Sequence, residues 1–311
     1  MTTTTLRSAM VCLLGAACLT AGADSTDVAT WTGTGLFTAE TVEAFGTGTN
    51  AFPLGNGMIK YTGPSATLDR PIAIAVDGGR AATVRVTDPE ATLTISKPVT
   101  QTSGAFIKDG PGTLRFTGAN TNVLGKKRAT NSEDARDLSW DEATGQTSST
   151  NGYGVFTIND GRVVFGDDGQ TNQLMEIDWI GTRTQKSVQL DVVGGTFRQD
   201  NGWFCISRGT GQTTNDVTAT MNISGGANVT LFSLCMNNGN GTGNYFGRSR
   251  LNVENASLTI PGNVYIGEGT GNPQIYVGPG ATFLCSQKVG RDNNSGFQIG
   301  RYGSATSTVT V

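Results

Sequence analysis

The chain has 311 residues, 44 of them glycine, and its 22 Lys and Arg residues against 25 Asp and Glu residues give a formal net charge of −3. This balance lacks the basic footprint of a nucleic-acid-binding protein, so we expect no nucleic-acid partner. The chain has no histidine, which excludes Ser–His and Cys–His nucleophile pairs and His-ligated zinc. Abundant glycine, together with plentiful threonine, valine and asparagine, favours a protein of strands and turns.

Residues 1–23 have the three parts of a secretory signal peptide. Arg7 and the amino terminus supply positive charge, an apolar stretch follows, and an Ala-Gly-Ala site ends the segment at Ala23. We therefore expect cleavage between Ala23 and Asp24 and a protein that is secreted or held at the cell surface. The apolar stretch is shorter than the roughly 20 residues of a transmembrane helix, and no later run is long enough. Lipid attachment at Cys18 is the alternative processing route.

The next segment, residues 24–57, is rich in Thr and Gly and carries scattered aromatic residues. A solenoid must shield its first repeat from solvent, so we predict that this segment forms an N-terminal cap. Beyond it, apolar and polar residues alternate in short runs punctuated by Gly or Pro, which is typical of β-strands. The predicted strands are 58–61, 72–76, 83–86, 92–95 and 113–116.

Part of this strand-rich region resembles a known repeat. The run Lys108-Asp-Gly-Pro-Gly-Thr-Leu-Arg-Phe-Thr-Gly-Ala-Asn120 is similar to the Lys-x-Gly-x-Gly-Thr-Leu-x-Leu-x-Gly-x-Asn core of the autotransporter-associated β-strand repeat. The resemblance covers residues 58–121, and the chain departs from the family's usual continuation after Asn120. It implies an exported bacterial passenger with a right-handed parallel β-helix, and most members of that family have no assigned catalysis.

The region after this repeat, residues 122–152, is the strongly charged part of the chain. Nine charged residues lie between Lys126 and Glu142. We predict a protruding loop or a short helix that Ser132 caps and that reaches Trp140. Such an insertion either contacts a partner, or is cleaved after its basic Lys-Lys-Arg run, or is simply a solvated loop.

Residues 153–311 repeat one phrase, in which two apolar residues one apart precede a Gly- or Asn-rich turn. Its copies begin 24 to 34 residues apart, at Phe156, Leu190, Met221, Leu251, Ile275 and Val309. A second phrase begins at Phe204, Leu234, Val264 and Phe297. A strand–turn–strand unit that cannot bury its apolar face alone is the signature of a stacked solenoid. We therefore predict one elongated all-β domain, a parallel β-helix (right-handed, as the resemblance implies), with a last turn that begins at Val309 and is truncated after Val311.

In the first phrase, the residue between the two apolar positions should point outward. These residues would form an external polar row across strands about 4.8 Å apart: Thr157, Asp191, Asn222, Asn252, Tyr276 and Thr310. A glycosidase needs two carboxyls roughly 5–9.5 Å apart, and this row offers Asp191 alone. Other carboxylates either join a calcium or sugar site or are ordinary turn and surface groups: Asp167, Asp168, Glu176 and Asp178. We therefore assign no catalytic, cofactor-binding or metal-binding residue.

Cys205 and Cys235 hold equivalent outward positions, 30 residues apart, in adjacent turns of the predicted solenoid. That spacing permits Cα atoms within disulfide range, so the pair is a candidate disulfide in an oxidising compartment. Two reduced thiols are favoured over this bond, because a disulfide between directly paired strands is strained. Cys285 lies elsewhere and is expected to stay free. Six aromatic residues either stack on sugars or pack beneath loops: Trp179, Trp203, Tyr245, Tyr265, Tyr276 and Tyr302.

Together these patterns favour a non-catalytic protein with a structural or adhesive role outside the cell, and with glycans or other cell-surface polymers as partners. The alternative is a polysaccharide-binding or polysaccharide-degrading β-helix, a lyase or hydrolase. Such an enzyme would need carboxylates clustered with Lys or Arg on one face. The incomplete last turn would also expose an open backbone edge, which favours end-to-end self-association.

Overall fold

A computed structural model of the protein describes residues 19–20, 31–76, 81–124, 139–141, 146–148, 156–167, 169–174, 178–180, 186–208, 218–238, 248–267, 271–286, 296–299 and 307–311. These residues form β-strands and one 3₁₀ turn, Val42–Phe45, with no α-helix among them. All but two of the strands belong to three long parallel sheets. The predicted all-β parallel β-helix is confirmed.

Each complete turn of the solenoid, which we call a rung, visits the three sheets in the same order. Sheet I contains β1 (Leu19–Thr20), β2 (Gly35–Ala39), β4 (Gly57–Tyr61), β7 (Ala81–Val86), β10 (Ala105–Asp109), β15 (Phe156–Ile158), β18 (Asp178–Ile180), β21 (Phe204–Arg208), β24 (Leu234–Asn238), β27 (Val264–Ile266) and β30 (Phe297–Ile299). Sheet II contains β5 (Ala66–Leu68), β8 (Thr92–Ile95), β11 (Thr113–Phe116), β16 (Gly161–Phe165), β19 (Val188–Val192), β22 (Thr218–Ile223), β25 (Arg248–Val253), β28 (Gln274–Val277) and β31 (Thr308–Thr310). Sheet III contains β3 (Phe52–Leu54), β6 (Ile72–Ala75), β9 (Val99–Ser103), β12 (Thr121–Leu124), β17 (Thr171–Leu174), β20 (Thr196–Gln199), β23 (Asn228–Thr230), β26 (Ser257–Ile260) and β29 (Thr282–Cys285).

Strands of consecutive rungs pair in parallel. In sheet II, β19 pairs with β22 and β22 with β25, so that Leu190, Met221 and Leu251 are successive register partners. Parallel partners need a long connection between them, and here each connection is the rest of the rung. Because the register does not shift along these strands, like side chains lie directly above one another.

Apolar residues stacked in this way fill the interior. The inward positions of sheet II are buried in every rung from β8 to β28: Leu93, Leu114, Val163, Leu190, Met221, Leu251 and Ile275. Phe116 and Phe165 stack with ring centroids 4.7 Å apart. Full burial of one such side chain contributes roughly 1.5–3 kcal/mol, so the apolar repeat of the sequence explains why the rungs associate.

An aromatic cluster lies at the amino-terminal end of the core. Phe45, on the 3₁₀ turn, has its ring centroid 5.3 Å from that of Phe37 and 5.1 Å from that of Phe52. Trp31 packs on Phe37 at 5.3 Å, and its Nε1 donates a hydrogen bond of 2.7 Å to the Pro53 oxygen. These buried rings fill the amino-terminal end of the core, and β1 pairs with the edge of β2. That residues 24–57 act as a cap stays a prediction.

The motif that carries the family resemblance builds a corner between sheets I and II. Lys108 is fully buried in β10, and its Nζ donates hydrogen bonds to the backbone oxygens of Gly110 (2.7 Å) and Asp160 (2.9 Å). Gly110 has a φ of 78°, which only glycine adopts without strain. At the other end of the motif, Asn120 Nδ2 donates a hydrogen bond of 2.7 Å to the Ser96 oxygen of the preceding rung. These residues hold backbone groups, so their role is structural.

One copy of the repeated phrase belongs to a different sheet from the rest. Phe156 begins β15 in sheet I, and the sheet II strand of that rung is β16, whose Val163 pairs with Leu190. Contrary to the prediction, Thr157 is therefore not in the polar row; it lies beside Ile107 and is fully buried. The prediction was wrong because both phrases alternate apolar residues before a glycine turn. The other copies stack in sheet II as predicted, at Leu190, Met221, Leu251, Ile275 and Val309.

The charged insertion contains an antiparallel hairpin in its described part. Strands β13 (Ser139–Asp141) and β14 (Gln146–Ser148) pair with Trp140 opposite Thr147. The helix predicted to reach Trp140 is therefore wrong at that residue. Sheet III also continues through β12 to Leu124, past the predicted boundary at 122. The basic run 126–128 lies outside the described residues.

Candidate binding face

The outer face of sheet II carries a row of planar side chains, which we call the sheet II row. It consists of Asp191, Asn222, Asn252 and Tyr276. Val164 precedes it and Thr310 follows it in register. These four predicted positions therefore come together on one face, one rung apart along the solenoid axis.

Asp191 anchors this row. Its carboxylate forms an ion pair with Arg162 Nε and accepts hydrogen bonds of 2.9 Å at both oxygens from Gln189 Nε2. Asn222 Nδ2 donates a further hydrogen bond of 2.7 Å to Oδ1. The residue is only 3% exposed. A carboxylate that is buried and bound by three donor side chains is a fixed acceptor rather than an accessible general base.

The hydrogen bonds along the row run in one direction. Asp191 is an acceptor, which fixes the Asn222 amide with its nitrogen toward Asp191 and its oxygen toward the next rung. Asn252 Nδ2 then donates a hydrogen bond of 2.8 Å to Asn222 Oδ1. No described residue donates a hydrogen bond to the Asn252 side-chain oxygen, so this oxygen is the open acceptor at the Tyr276 end of the row.

Tyr276 lies against a glycine that makes room for its ring. A Cβ atom added to Gly278 would lie 2.7 Å from Tyr276 Cε1 and 2.8 Å from Glu254 Cγ. The ring therefore occupies the space above Gly278, and the residue remains 37% exposed. Residues two apart in extended chain lie on the same face, so the Tyr-x-Gly spacing is the sequence signal that could have found this contact. Sequence reasoning identified Tyr276 but missed Gly278.

Of the other carboxylates named from the sequence, Asp167 is the one whose side chain lies within the described residues. Asp167 accepts a hydrogen bond of 2.7 Å from the Gly118 backbone nitrogen, which is a turn contact. Asp178 is in β18 of sheet I, but its side chain lies outside the described part, as do Asp168 and Glu176 entirely. Among the described residues, no group of three or more His, Cys, Asp or Glu side chains could hold a metal ion.

Cys205 and Cys235 are direct register partners on β21 and β24. They face away from the main core, as predicted for outward positions, but both are fully buried in a second apolar cluster with Tyr265. The register is compatible with the candidate disulfide, and whether the bond forms stays a prediction. Cys285, on β29, is partly buried, which raises the pKa of its thiol to about 11 and makes it a weak nucleophile at neutral pH.

The predicted aromatic platforms separate into exposed and buried groups. Tyr265 is only 3% exposed and packs with Trp203 at a centroid distance of 4.9 Å, so its ring is not available to a ligand. Trp203 is half-buried against the second cluster. The Trp179 side chain, Tyr245 and Tyr302 lie outside the described residues. Tyr276 is thus the most exposed described ring of the six.

The predicted cleavage site at Ala23 and Asp24 lies outside the described residues. Within the described part, no helix has the length and apolar character needed to cross a membrane. Comparison of the chain with protein-family models, with curated proteins and with solved structures finds no match.

Proposed function

We propose that this chain is an exported, non-catalytic β-solenoid that serves as a structural or adhesive passenger at the bacterial surface or in the extracellular space. The observation that carries the proposal is that the Asp191 carboxylate is already bound by protein side chains. At the centre of the outer face of sheet II, it contacts Arg162, Gln189 and Asn222. That face consequently offers an ordered row of planar polar groups. Such a row is better suited to binding a polymer than to cleaving it.

Contacts of other carboxylates support the same conclusion. Asp109 pairs with Arg85 Nε at 2.7 Å, and Asp160 pairs with Lys186 Nζ at 2.7 Å. Both carboxylates are largely buried, with side chains 13% and 10% exposed. A lyase or hydrolase needs a base or acid that reaches its substrate. Carboxylates held in ion pairs between rungs instead stabilise the stack.

Export is supported by the leader at residues 1–23, and the long repetitive surface suits an extracellular scaffold. The experiment expresses the full chain in an exporting bacterial host and sequences the amino terminus of the protein found with the cells and in the medium. We expect the sequence to begin at Asp24. Protein that stays in the cytoplasm and still begins at Met1 would contradict the proposal.

The catalytic alternative is tested on the same material. Purified protein is incubated with neutral and acidic polysaccharides, with and without calcium, and the release of unsaturated products and reducing ends is measured. We expect no release above a heat-denatured control. Calcium-dependent release that one carboxylate substitution abolishes would identify a polysaccharide-degrading enzyme instead.

End-to-end self-association is part of this proposal. β29, β30 and β31 are the last strands of their sheets, and the inward-facing side chains of β30 and β31 are exposed, with Phe297 40%, Ile299 52% and Val309 39% exposed. Among the described residues no strand pairs with the outer edges of these three strands, and unpaired edges associate with other strands. We expect sedimentation velocity to show concentration-dependent association that the double substitution Phe297→Lys/Ile299→Lys abolishes. A strict monomer at all concentrations would contradict this part.

A further inference from the structure

We propose that Tyr276 and Asn252 form a binding subsite for a neutral hexopyranose unit of a glycan on the outer face of sheet II. The inference rests on the proposed function, because it names a ligand class and a contact point for the adhesive surface. It needs no catalysis and involves no change in covalent bonds.

The apolar half of the subsite is the Tyr276 ring. Tyr276 is 37% exposed, and its ring is held over Gly278, where a Cβ atom would clash with it. A ring fixed in this way presents a flat apolar face at little entropic cost to binding. The C–H face of a pyranose is the complementary surface, since an aromatic ring has an apolar body and a partly negative face.

The polar half is the side-chain oxygen of Asn252. Asn252 donates to Asn222 at 2.8 Å, and Asn222 donates to Asp191 at 2.7 Å. Each donor in this chain is polarised by the negative charge at its far end, which makes the terminal oxygen a stronger acceptor. No described residue supplies a donor to that oxygen. A sugar hydroxyl, oriented by stacking on the adjacent ring, is a donor of suitable size.

The charges around the subsite favour a neutral ligand. Asn252 lies between Arg250, on the outer face of β25, and Glu254, which directly follows the strand, and both are exposed. This cation and this anion are equally distant from Asn252 in sequence and offset each other, while the other cation of this face, Arg248, lies two residues farther from Asn252. A polyuronate would gain from Arg250 and be repelled by Glu254, and the acceptor oxygen of Asn252 would also repel a carboxylate. A hydroxyl-rich neutral chain meets neither repulsion.

The experiment measures binding of the full chain to soluble neutral polysaccharides, a β-glucan and a mannan, by affinity electrophoresis, with polygalacturonate as the acidic comparison. We expect retardation by a neutral polymer. The Tyr276→Ala variant should lose about tenfold or more in affinity, whereas Tyr276→Phe should retain most of it because the ring remains. Asn252→Leu should weaken binding several-fold. Phe232→Ala is the matched control, because Phe232 is an aromatic residue 41% exposed away from sheet II.

Each outcome has one meaning, provided that far-UV circular dichroism shows each variant to be folded. Equal losses for Tyr276→Ala and Phe232→Ala, or no loss for Tyr276→Ala, would overturn the subsite. Binding to polygalacturonate alone would overturn the neutral ligand class. Absence of all glycan binding would overturn the inference and leave the proposed function intact if the exported protein still remains with the cells. Loss of export or detection of turnover would instead overturn the proposed function.

Discussion

Lys108 Nζ donates a hydrogen bond of 2.9 Å to the backbone oxygen of Asp160, 52 residues further along the chain. Because β10 and β15 are neighbours in sheet I, this bond joins consecutive rungs across the charged insertion. The same ammonium donates to Gly110, so a buried charge is satisfied by backbone acceptors. The contact therefore links the rungs before and after the charged insertion, which are far apart in sequence.

The burial of Lys108 predicts a characteristic pH dependence. Burial lowers the pKa of Lys108 from 10.5 to about 8, an effect that the nearby Asp109 and Asp160 partly oppose. Between these two pH values the unfolded chain binds more protons at this site than the folded chain. The free energy of unfolding of the wild type should therefore rise with pH across this window, relative to Lys108→Met, by about 3 kcal/mol in total. Outside the window the contribution is constant.

Urea unfolding of both proteins, followed by circular dichroism from pH 7 to pH 11, checks this expectation. The difference between the two curves cancels the titration of other groups. Lys97→Met is the control, because the Lys97 side chain is 46% exposed and pairs with Asp69 rather than with a neighbour of Lys108. Parallel curves for the wild type and Lys108→Met would show that Lys108 is solvated, contrary to the structure.

Two glycines should differ sharply in their tolerance of alanine. Gly161 and Gly226 both have positive φ, 71° and 78°. A Cβ atom at Gly161 would lie 2.5 Å from the backbone oxygens of Gly110 and Gly112, whereas one at Gly226 would have nothing within 4 Å. Gly226→Ala should cost about 1–2 kcal/mol, from the backbone conformation alone. Gly161→Ala should cost several kcal/mol more, because backbone must move, and equal losses in denaturant unfolding would contradict the corner geometry.

Substitution of Asp191 should destabilise the fold more than substitution of an exposed carboxylate. Asp191→Ala removes an acceptor that Arg162, Gln189 and Asn222 share, and we expect a loss of about 2–4 kcal/mol in the free energy of unfolding. Asp69→Ala is the control, because the Asp69 side chain is 72% exposed and pairs with a Lys97 side chain that is 46% exposed. An exposed pair of this kind contributes less than about 1 kcal/mol. A loss no larger for Asp191→Ala than for Asp69→Ala would show that the row is not held by its carboxylate.

The sequence predicted sheet II well because its inward positions are apolar in every rung. Leu190 and Met221 are separated by 31 residues in the chain, and the repeated phrase alone places them in register. Sheet III was harder to recognise, because the residue type at its inward positions changes from one rung to the next. Asn172 on β17, for example, lies directly beside Phe197 on β20. A polar residue at a core position removes the alternation that strand prediction needs.

The binding face was partly predictable for the same reason. The outward positions of Asp191, Asn222 and Asn252 follow from the strand period, but their hydrogen-bond direction does not. That direction depends on Arg162 and on side-chain geometry across three rungs. The space above Gly278 is likewise a tertiary feature, since it involves Glu254 of the preceding rung. Local pattern cannot supply contacts between residues that are a whole rung apart.

The interior amides of sheet III provide a further test of how the core is specified. Asn122 Nδ2 donates a hydrogen bond of 2.9 Å to Asn172 Oδ1, and Asn172 Nδ2 donates one of 3.0 Å to Gln170 Oε1. All three side chains are buried, with no more than 1% exposure. Asn172→Leu should destabilise the protein by about 2–4 kcal/mol, because it leaves the Asn122 donor buried and unsatisfied.

A double-mutant cycle separates this cause from a simple packing defect. Replacing both Asn122 and Asn172 with Leu removes donor and acceptor together, so the double variant should lose less stability than the sum of the single losses, by about 1 kcal/mol or more. The Asn122 side chain also accepts a hydrogen bond of 3.0 Å from the Val99 backbone nitrogen, so the double variant should still be less stable than the wild type. Strictly additive losses would show that the two amides contribute independently. In that case the loss of stability on substitution with leucine comes from the shape of its side chain, and the hydrogen bond between the two asparagines makes no separate contribution.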